Sequence, residues 1–172
     1  MVLQNNHEKF MQEALKEARV ALDEGEFPVG CVFVDRNRIL ARGRRRNSSE
    51  QFCNEIDHAE IVTLRAFLAE HPDYDFSSVV VYSTMEPCLM CYSTMLLSGI
   101  RSFVWAYEDI MGGGTNLPLQ SLNALYAQMQ ITLVEKVQRT ASLKLFQQFF
   151  SNYSYWQDSL LSRYTLEQVI EE

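Results

Sequence analysis

Apolar residues recur at helical spacing between positions 6 and 24, where Phe10, Ala14, Ala18, Ala21 and Leu22 stand among charged residues. The pattern predicts an amphipathic helix, stopped by Gly25. Residues 28–35 (PVGCVFVD) and 38–43 (RILARG) are β-rich runs separated by a turn at 35–37, the signature of a hairpin. Residues 44–57 are polar and irregular. Ile61, Leu64, Phe67 and Leu68 predict a helix over 58–70, which Pro72 closes. The run 78–83 (SVVVYS) is apolar and β-branched, as expected of a buried strand. A second short helix is predicted over 88–98, ended by Gly99, then a strand over 102–107, a turn or mobile loop at 112–114, a helix over 118–127 and a last strand over 130–134. Strands alternating with helices imply an α/β sandwich with parallel pairs after the opening hairpin.

The tail from 138 to 170 is aromatic: Phe146, Phe149, Phe150, Tyr153, Tyr155, Trp156 and Tyr164. Its spacing reads as core packing, with a lid over a binding site as the alternative. At 172 residues the chain has the length of one domain, 1–172, with 138–172 as a C-terminal helical extension. Hydrophobic residues make up 47% of it, enough for a core without disulfides. No stretch approaches the roughly 20 apolar residues of a membrane span, and no basic segment followed by an apolar one suggests a signal peptide. The expected compartment is cytoplasmic and reducing, with no membrane partner.

Fifteen Lys and Arg against 22 Asp and Glu leave a net charge of −7, which argues against indiscriminate binding of nucleic acid. The positive charge is uneven: Arg36, Arg38, Arg42, Arg44, Arg45 and Arg46 fall within one short segment. That segment reads either as a solvated strand end or as an anion-facing rim.

Four cysteines (Cys31, Cys53, Cys88, Cys91) and three histidines (His7, His58, His71) bound the ligand inventory. In a reducing compartment such cysteines point to metal or catalysis before disulfides. His58-Ala59-Glu60 opens one predicted helix, and Pro87-Cys88-Leu89-Met90-Cys91 opens the next. Cys-x-x-Cys at a helix start sets both sulfurs on one side of one turn, where free N–H groups and the helix dipole favour thiolates. Pro87 suits the first helical position. With His58, the two cysteines make a zinc site with one position left for water. Glu60, two residues past the histidine, is placed to take a proton from that water and hand it to a leaving nitrogen. Two other readings of the cysteines are a redox pair and a structural zinc site closed by Cys53 or Cys31; the second would make the chain a zinc-stabilised, non-catalytic interaction subunit. Cys31, in an apolar strand, reads as a small buried hydrophobe, and His7 and His71 as surface residues at helix ends.

His58-Ala59-Glu60 with Pro87-Cys88-x-x-Cys91 resembles the H-x-E…P-C-x-x-C signature of the cytidine deaminase-like superfamily of zinc-dependent nucleobase deaminases. Gly25-Glu26-Phe27-Pro28-Val29-Gly30, Asn47, Ala59-Glu60-Ile61 and Thr84-Met85-Glu86-Pro87-Cys88-Leu89-Met90-Cys91 resemble bacterial tRNA adenosine deaminases, and bacterial guanine deaminases share much of the pattern. The resemblance, over roughly 8–115, implies a three-layer α/β/α fold with a five-stranded mixed sheet between helices. It implies Zn²⁺ held by His58, Cys88 and Cys91, with Glu60 as proton shuttle. It further implies that Asn47 and the Ala59 backbone hydrogen-bond the base, that Pro28 and Val29 line the pocket, that Asp109 lies near a substrate ribose, and that the protein is a homodimer. The substrate it implies contains a nucleobase, adenosine in tRNA first and a free purine or nucleoside as the alternative. Three segments depart from the pattern: Glu55-Ile56-Asp57 stands where Asp-Pro-Thr is usual, Ile110-Met111-Gly112-Gly113-Gly114 replaces a loop with Lys-Thr-Gly, and an acidic tail from Glu167 to Glu172 replaces a basic end. Each removes a feature expected for gripping an anticodon loop and leaves the zinc chemistry intact.

Overall fold

The computed structural model describes residues 2–48 and 53–170; the last two acidic residues of the tail, Glu171 and Glu172, lie outside that range. The chain runs α1 (Val2–Asp23), β1 (Gly30–Asp35), β2 (Arg38–Arg44), α2 (Ala59–Glu70), β3 (Val80–Met85), α3 (Leu89–Leu97), β4 (Ser102–Tyr107), α4 (Ala124–Ala127), β5 (Thr132–Val134), α5 (Arg139–Asn152) and α6 (Leu160–Glu167). Five strands form one mixed sheet in the order β2-β1-β3-β4-β5. β3–β4 and β4–β5 are parallel, as expected after a hairpin. β1 and β3, however, pair antiparallel. The crossover through α2 returns β3 in the direction of β2, and β1 lies between those two strands.

Side chains that alternate along each strand serve two cores. Val32 and Val34 of β1, Tyr82 of β3, and Val104 and Ala106 of β4 pack with Phe10, Met11 and Ala14 of α1. Cys31, Phe33, Val81, Met85, Phe103 and Tyr107 belong to the cluster that holds α2 and α3. The helices therefore cover both faces, which is why β1 is apolar at nearly every position and buried along its whole length. In the tail, Phe146, Phe149 and Phe150 of α5 are buried around Phe27, as the core-packing reading expects.

Two glycines set how closely helices approach the sheet. A Cβ on Gly30 would fall 2.1 Å from the Ala14 carbonyl oxygen of α1. A Cβ on Gly43 would fall 2.1 Å from Thr63 Oγ1 of α2. Thr63 is itself fixed, because its hydroxyl donates to the Ala59 carbonyl at 2.7 Å. The first turn of α2 is thus seated on β2 with no room for a methyl group.

Two expectations are corrected. The helix over 118–127 is a 3₁₀ turn (Leu119–Ser121) followed by the single turn of α4. Leu122 and Asn123 are extended between them, with Asn123 at the cap, where its short polar side chain is favoured over a helix interior. His7 is not a surface residue: its ring is half-buried against Tyr82, with Nδ1 2.9 Å from the tyrosine hydroxyl.

Gly43→Ala is expected to lower unfolding free energy by about 1–3 kcal/mol, measured by urea denaturation. Adding Thr63→Ala should recover part of that loss, since the nearest remaining side-chain atom, Thr63 Cβ, lies 3.2 Å from the new methyl.

Candidate active site

α2 and α3 begin on the same face of the sheet, and each starts from an extended residue whose side chain does not cap its own helix. His58 is the N-cap of α2 (φ −65°, ψ 156°) and Cys88 the N-cap of α3 (φ −66°, ψ 167°). Pro87 therefore stands one place before the cap and not at the first helical position. Its carbonyl accepts from the Gly114 N–H at 2.9 Å. The side chains freed from capping face each other: His58 Nδ1 lies 3.5 Å from both Cys88 Sγ and Cys91 Sγ.

The three ligand atoms lie within 4.8 Å of one another. Zinc at about 2.3 Å from sulfur and about 2.0–2.1 Å from nitrogen, at a tetrahedral angle, requires S···N separations near 3.5 Å. The donor set and its spacing therefore fit zinc. Cys53 is exposed and Cys31 is buried in β1; neither joins the cluster, so among the described residues no fourth protein ligand closes it. That removes the structural-zinc reading. A hydrogen bond from Cys91 pulls the Cys88 thiol down to about 4, against burial, and His58 helps. The Cys91 thiol is pushed up by that same Cys88 partnership, by burial and by the Glu60 carboxylate. Burial opposes a charge on His58, but its bond to Cys88 together with the Glu60 and Cys88 charges moves it up.

Glu60 is buried in the first turn of α2, and Ser83 of β3 donates to its Oε1 at 2.8 Å. Burial raises its affinity for a proton, and the Cys88 charge adds to the effect. A carboxyl so placed both holds and releases a proton.

A cavity of about 90 Å³ opens beside this cluster, lined by His58, Ala59, Glu60, Cys88, Val29 and Asp109 among others. That is well above the about 10–15 Å³ a single water needs. Of the other residues named from sequence, Asn47 and Pro28 are not on its wall. Asn47 is buried, its amide oxygen accepting from Arg45 Nε at 2.6 Å and its NH₂ donating to the Asn54 carbonyl. Pro28 is buried behind Val29 and offers its carbonyl to Thr84 Oγ1 at 3.4 Å. Asp109 lines the cavity while accepting from the Met111 and Gly112 N–H groups, and burial pushes its carboxyl up.

Glu86, Arg45 and Trp156 are among the wall residues to which sequence reasoning gave no site role. Glu86 accepts from Thr115 Oγ1 at 2.5 Å and from the Asp109 N–H at 3.3 Å, so it ties the glycine loop to the site. Its place in the Met-Glu-Pro-Cys run was the available signal. The loop is a packed element, not a free turn: a Cβ on Gly113 would lie 2.5 Å from Glu86, and one on Gly114 2.6 Å from the Leu89 backbone. Trp156 brings the tail to the cavity, which supports the lid reading at that one point. No sequence signal separated Arg45 from its neighbours.

The arginine segment divides: Arg36, Arg38, Arg42 and Arg46 are exposed, as the solvated strand-end reading expects, whereas Arg44 is half-buried and Arg45 buried. Arg42 pairs with Glu13 of α1, and Arg44 with Glu24 at 2.8 Å and Glu17 at 3.4 Å. Arg45 is buried under Phe27, Tyr155 and Trp156, 5.3–5.8 Å from their ring centres.

The family model described as the cytidine and deoxycytidylate deaminase zinc-binding region matches residues 4–107, a span that carries the whole metal cluster. The chain belongs to that family: it is a zinc-binding hydrolytic deaminase of nucleobases or nucleosides. The tRNA-specific adenosine deaminase of Streptococcus pyogenes serotype M18 is 34% identical over 113 residues, 66% of this chain and 70% of that protein. A structure solved in studies of A-to-I editing by tRNA:A34 deaminases superposes with a TM-score of 0.65 at 26% identity, covering 80% of this chain and 98% of that one. The guanine deaminase from Nitrosomonas europaea shares the fold, with a TM-score of 0.66 at 24% identity and 83% of each chain covered. No helix among the described residues is long and apolar enough to cross a membrane.

Cys53→Ser is expected to retain one zinc per chain by atomic absorption after dialysis. His58→Ala, Cys88→Ser and Cys91→Ser should each lose most of it under the same conditions, because each deletes one of three ligands.

Proposed function

We propose that the protein deaminates adenosine within tRNA, converting the exocyclic amine to a carbonyl and releasing ammonia. The observation that carries this reading is the 34% identity to tRNA-specific adenosine deaminases over the span that holds the site. The protein acts as one domain over 1–172, in the cytoplasm and as a homodimer.

His58, Cys88 and Cys91 would hold zinc, which when bound supplies Lewis-acid activation of water. Glu60, steadied by Ser83, takes the proton of the incoming water on its carboxylate and delivers it to the departing amine nitrogen. Ala59, Val29 and Asp109 line the cavity; in this reading the Ala59 backbone and Val29 would meet the base and Asp109 the ribose. Asn47 meets a base only if Arg45 yields its amide oxygen. Pro28 shapes the wall from behind Val29.

A second reading has its own support. Trp156 lies on the cavity wall, and Arg42, Arg44 and Arg45 are committed to internal partners. That arrangement suits a free purine or its nucleoside better than a phosphate backbone.

The test is ammonia release by zinc-loaded protein, offered bulk tRNA and, separately, free purines, pyrimidines and their nucleosides. Release from tRNA is expected. Glu60→Ala should cut it by about 10²–10⁴-fold with zinc content unchanged. Release from free bases or nucleosides alone would replace the tRNA reading with the second one, and equal activity of Glu60→Ala would sink the catalytic role of Glu60.

A further inference from the structure

His58 presents Nδ1 to the two sulfurs, so its other ring nitrogen, Nε2, must look elsewhere. Nε2 is buried and has no hydrogen-bond partner. The acidic atom facing it is Glu55 Oε2, at 3.6 Å. That gap exceeds a hydrogen bond by a few tenths of an ångström, a distance a half-exposed glutamate crosses by small rotations. Metal-binding imidazoles generally donate their second N–H to a carboxylate or carbonyl, which fixes the tautomer and the ring plane.

Glu55 is also the knot that ties the tail down. Its Oε1 accepts from the Tyr155 hydroxyl at 2.7 Å, and its Oε2 accepts from Arg45 Nη2 at 3.1 Å. Arg45 Nη2 donates in turn to the Tyr155 hydroxyl at 2.7 Å. Tyr155 stacks on Trp156 at 5.2 Å with an interplanar angle of 11°. Trp156 reaches the cavity with its backbone at φ +55°, a left-handed conformation that is costly for a bulky residue and persists only where its surroundings hold it. The tyrosine stacked on that strained tryptophan, a buried arginine and an imidazole nitrogen in want of an acceptor thus meet at one carboxylate. That carboxylate lies in the Glu55-Ile56-Asp57 triplet, where the chain departs from the usual sequence before His-Ala-Glu.

We infer that Glu55 is a positioning residue for the metal ligand His58, and that by sharing its carboxylate with Tyr155 it couples docking of the tail over the cavity to the orientation of the imidazole. The inference rests on His58 being a zinc ligand and is independent of which base is the substrate. With the tail docked, Tyr155 and Arg45 hold Glu55 in reach of Nε2. With the tail lifted, Glu55 loses the Tyr155 partner and swings toward solvent.

The experiment uses the full chain. Zinc affinity is measured by competition with a chromophoric chelator, and the visible spectrum of cobalt-loaded protein reports the ligand field at the site. Glu55→Ala is expected to weaken zinc binding about 10–100-fold and to shift the cobalt bands. Glu55→Gln should recover most of the affinity, because its amide oxygen still accepts from Nε2–H. Tyr155→Phe, far from the ligands in sequence, should shift the cobalt bands in the same sense as Glu55→Ala and by less. Parent-like affinity and spectrum in Glu55→Ala would overturn the positioning role. A shift in Glu55→Ala with none in Tyr155→Phe would overturn the coupling to the tail. If Glu55→Ala does not fold, a Glu55→Gln protein with weakened zinc and shifted bands equal to a deletion of the contact overturns the acceptor role. His58→Ala is the control: if it binds zinc like the parent, the ligand assignment fails, a result distinct from failure of Glu55.

Discussion

The site depends on two helices that begin facing one another. Helix starts carry unpaired N–H groups and a partial positive charge, so the space between two such starts favours anionic sulfur over neutral thiol. Neither His58 nor Cys88 spends its side chain on capping, and that choice frees both for a common centre. The arrangement tolerates little error, because His58 Nδ1 must stay near 3.5 Å from both sulfurs. Close packing supplies the precision. Gly43 lets the first turn of α2 sit on β2, and Gly113 and Gly114 let the loop after β4 lie against Glu86 and the start of α3. The sheet acts as a template, and the glycines set the depth to which each piece is pressed onto it.

What could be read from the chain, and what could not, divides along the same line. The strands were legible because a doubly covered sheet demands continuous apolar runs, as in β1 and β3. The metal ligands were legible because spacing around a helix start is a local property. The helix expected over 118–127 failed because Asn123 serves as a cap in the middle of it, and composition alone does not show where a helix restarts. Arg45 and Trp156 were invisible as wall residues because they come together only through long-range packing with Phe27 and with Tyr155, which lies 110 positions from Arg45. Asn47 was picked out as a motif residue, and its side chain is held by an arginine that the motif does not mention.

Part of the charge around the site's borders is spent internally. In the arginine-rich segment, Arg42 and Arg44 are met by Glu13 and Glu17 of α1 and by Glu24 just beyond its end. Arg139 and Tyr164 likewise converge on Glu108, whose carboxyl is held down to about 2 by those two partners although burial works the other way. α5 and α6 are thereby joined to the end of β4 by a charged contact in addition to the aromatic packing around Phe27. The two devices together give the tail a defined path to the cavity.

The pairing of β2 with α1 also bears on the fate of the sheet's open side. β2 is an outermost strand, and such strands offer their free backbone groups to any other extended chain. Arg42 and Arg44 share one face of β2, and both pair with acidic residues in α1 or just beyond it, which sets charged struts beside that border. A strand arriving from a neighbouring molecule would meet that charge as it paired. Ions in solution loosen such struts by screening, so the guard against edge-to-edge stacking of molecules is strongest in dilute electrolyte and relaxes as salt rises.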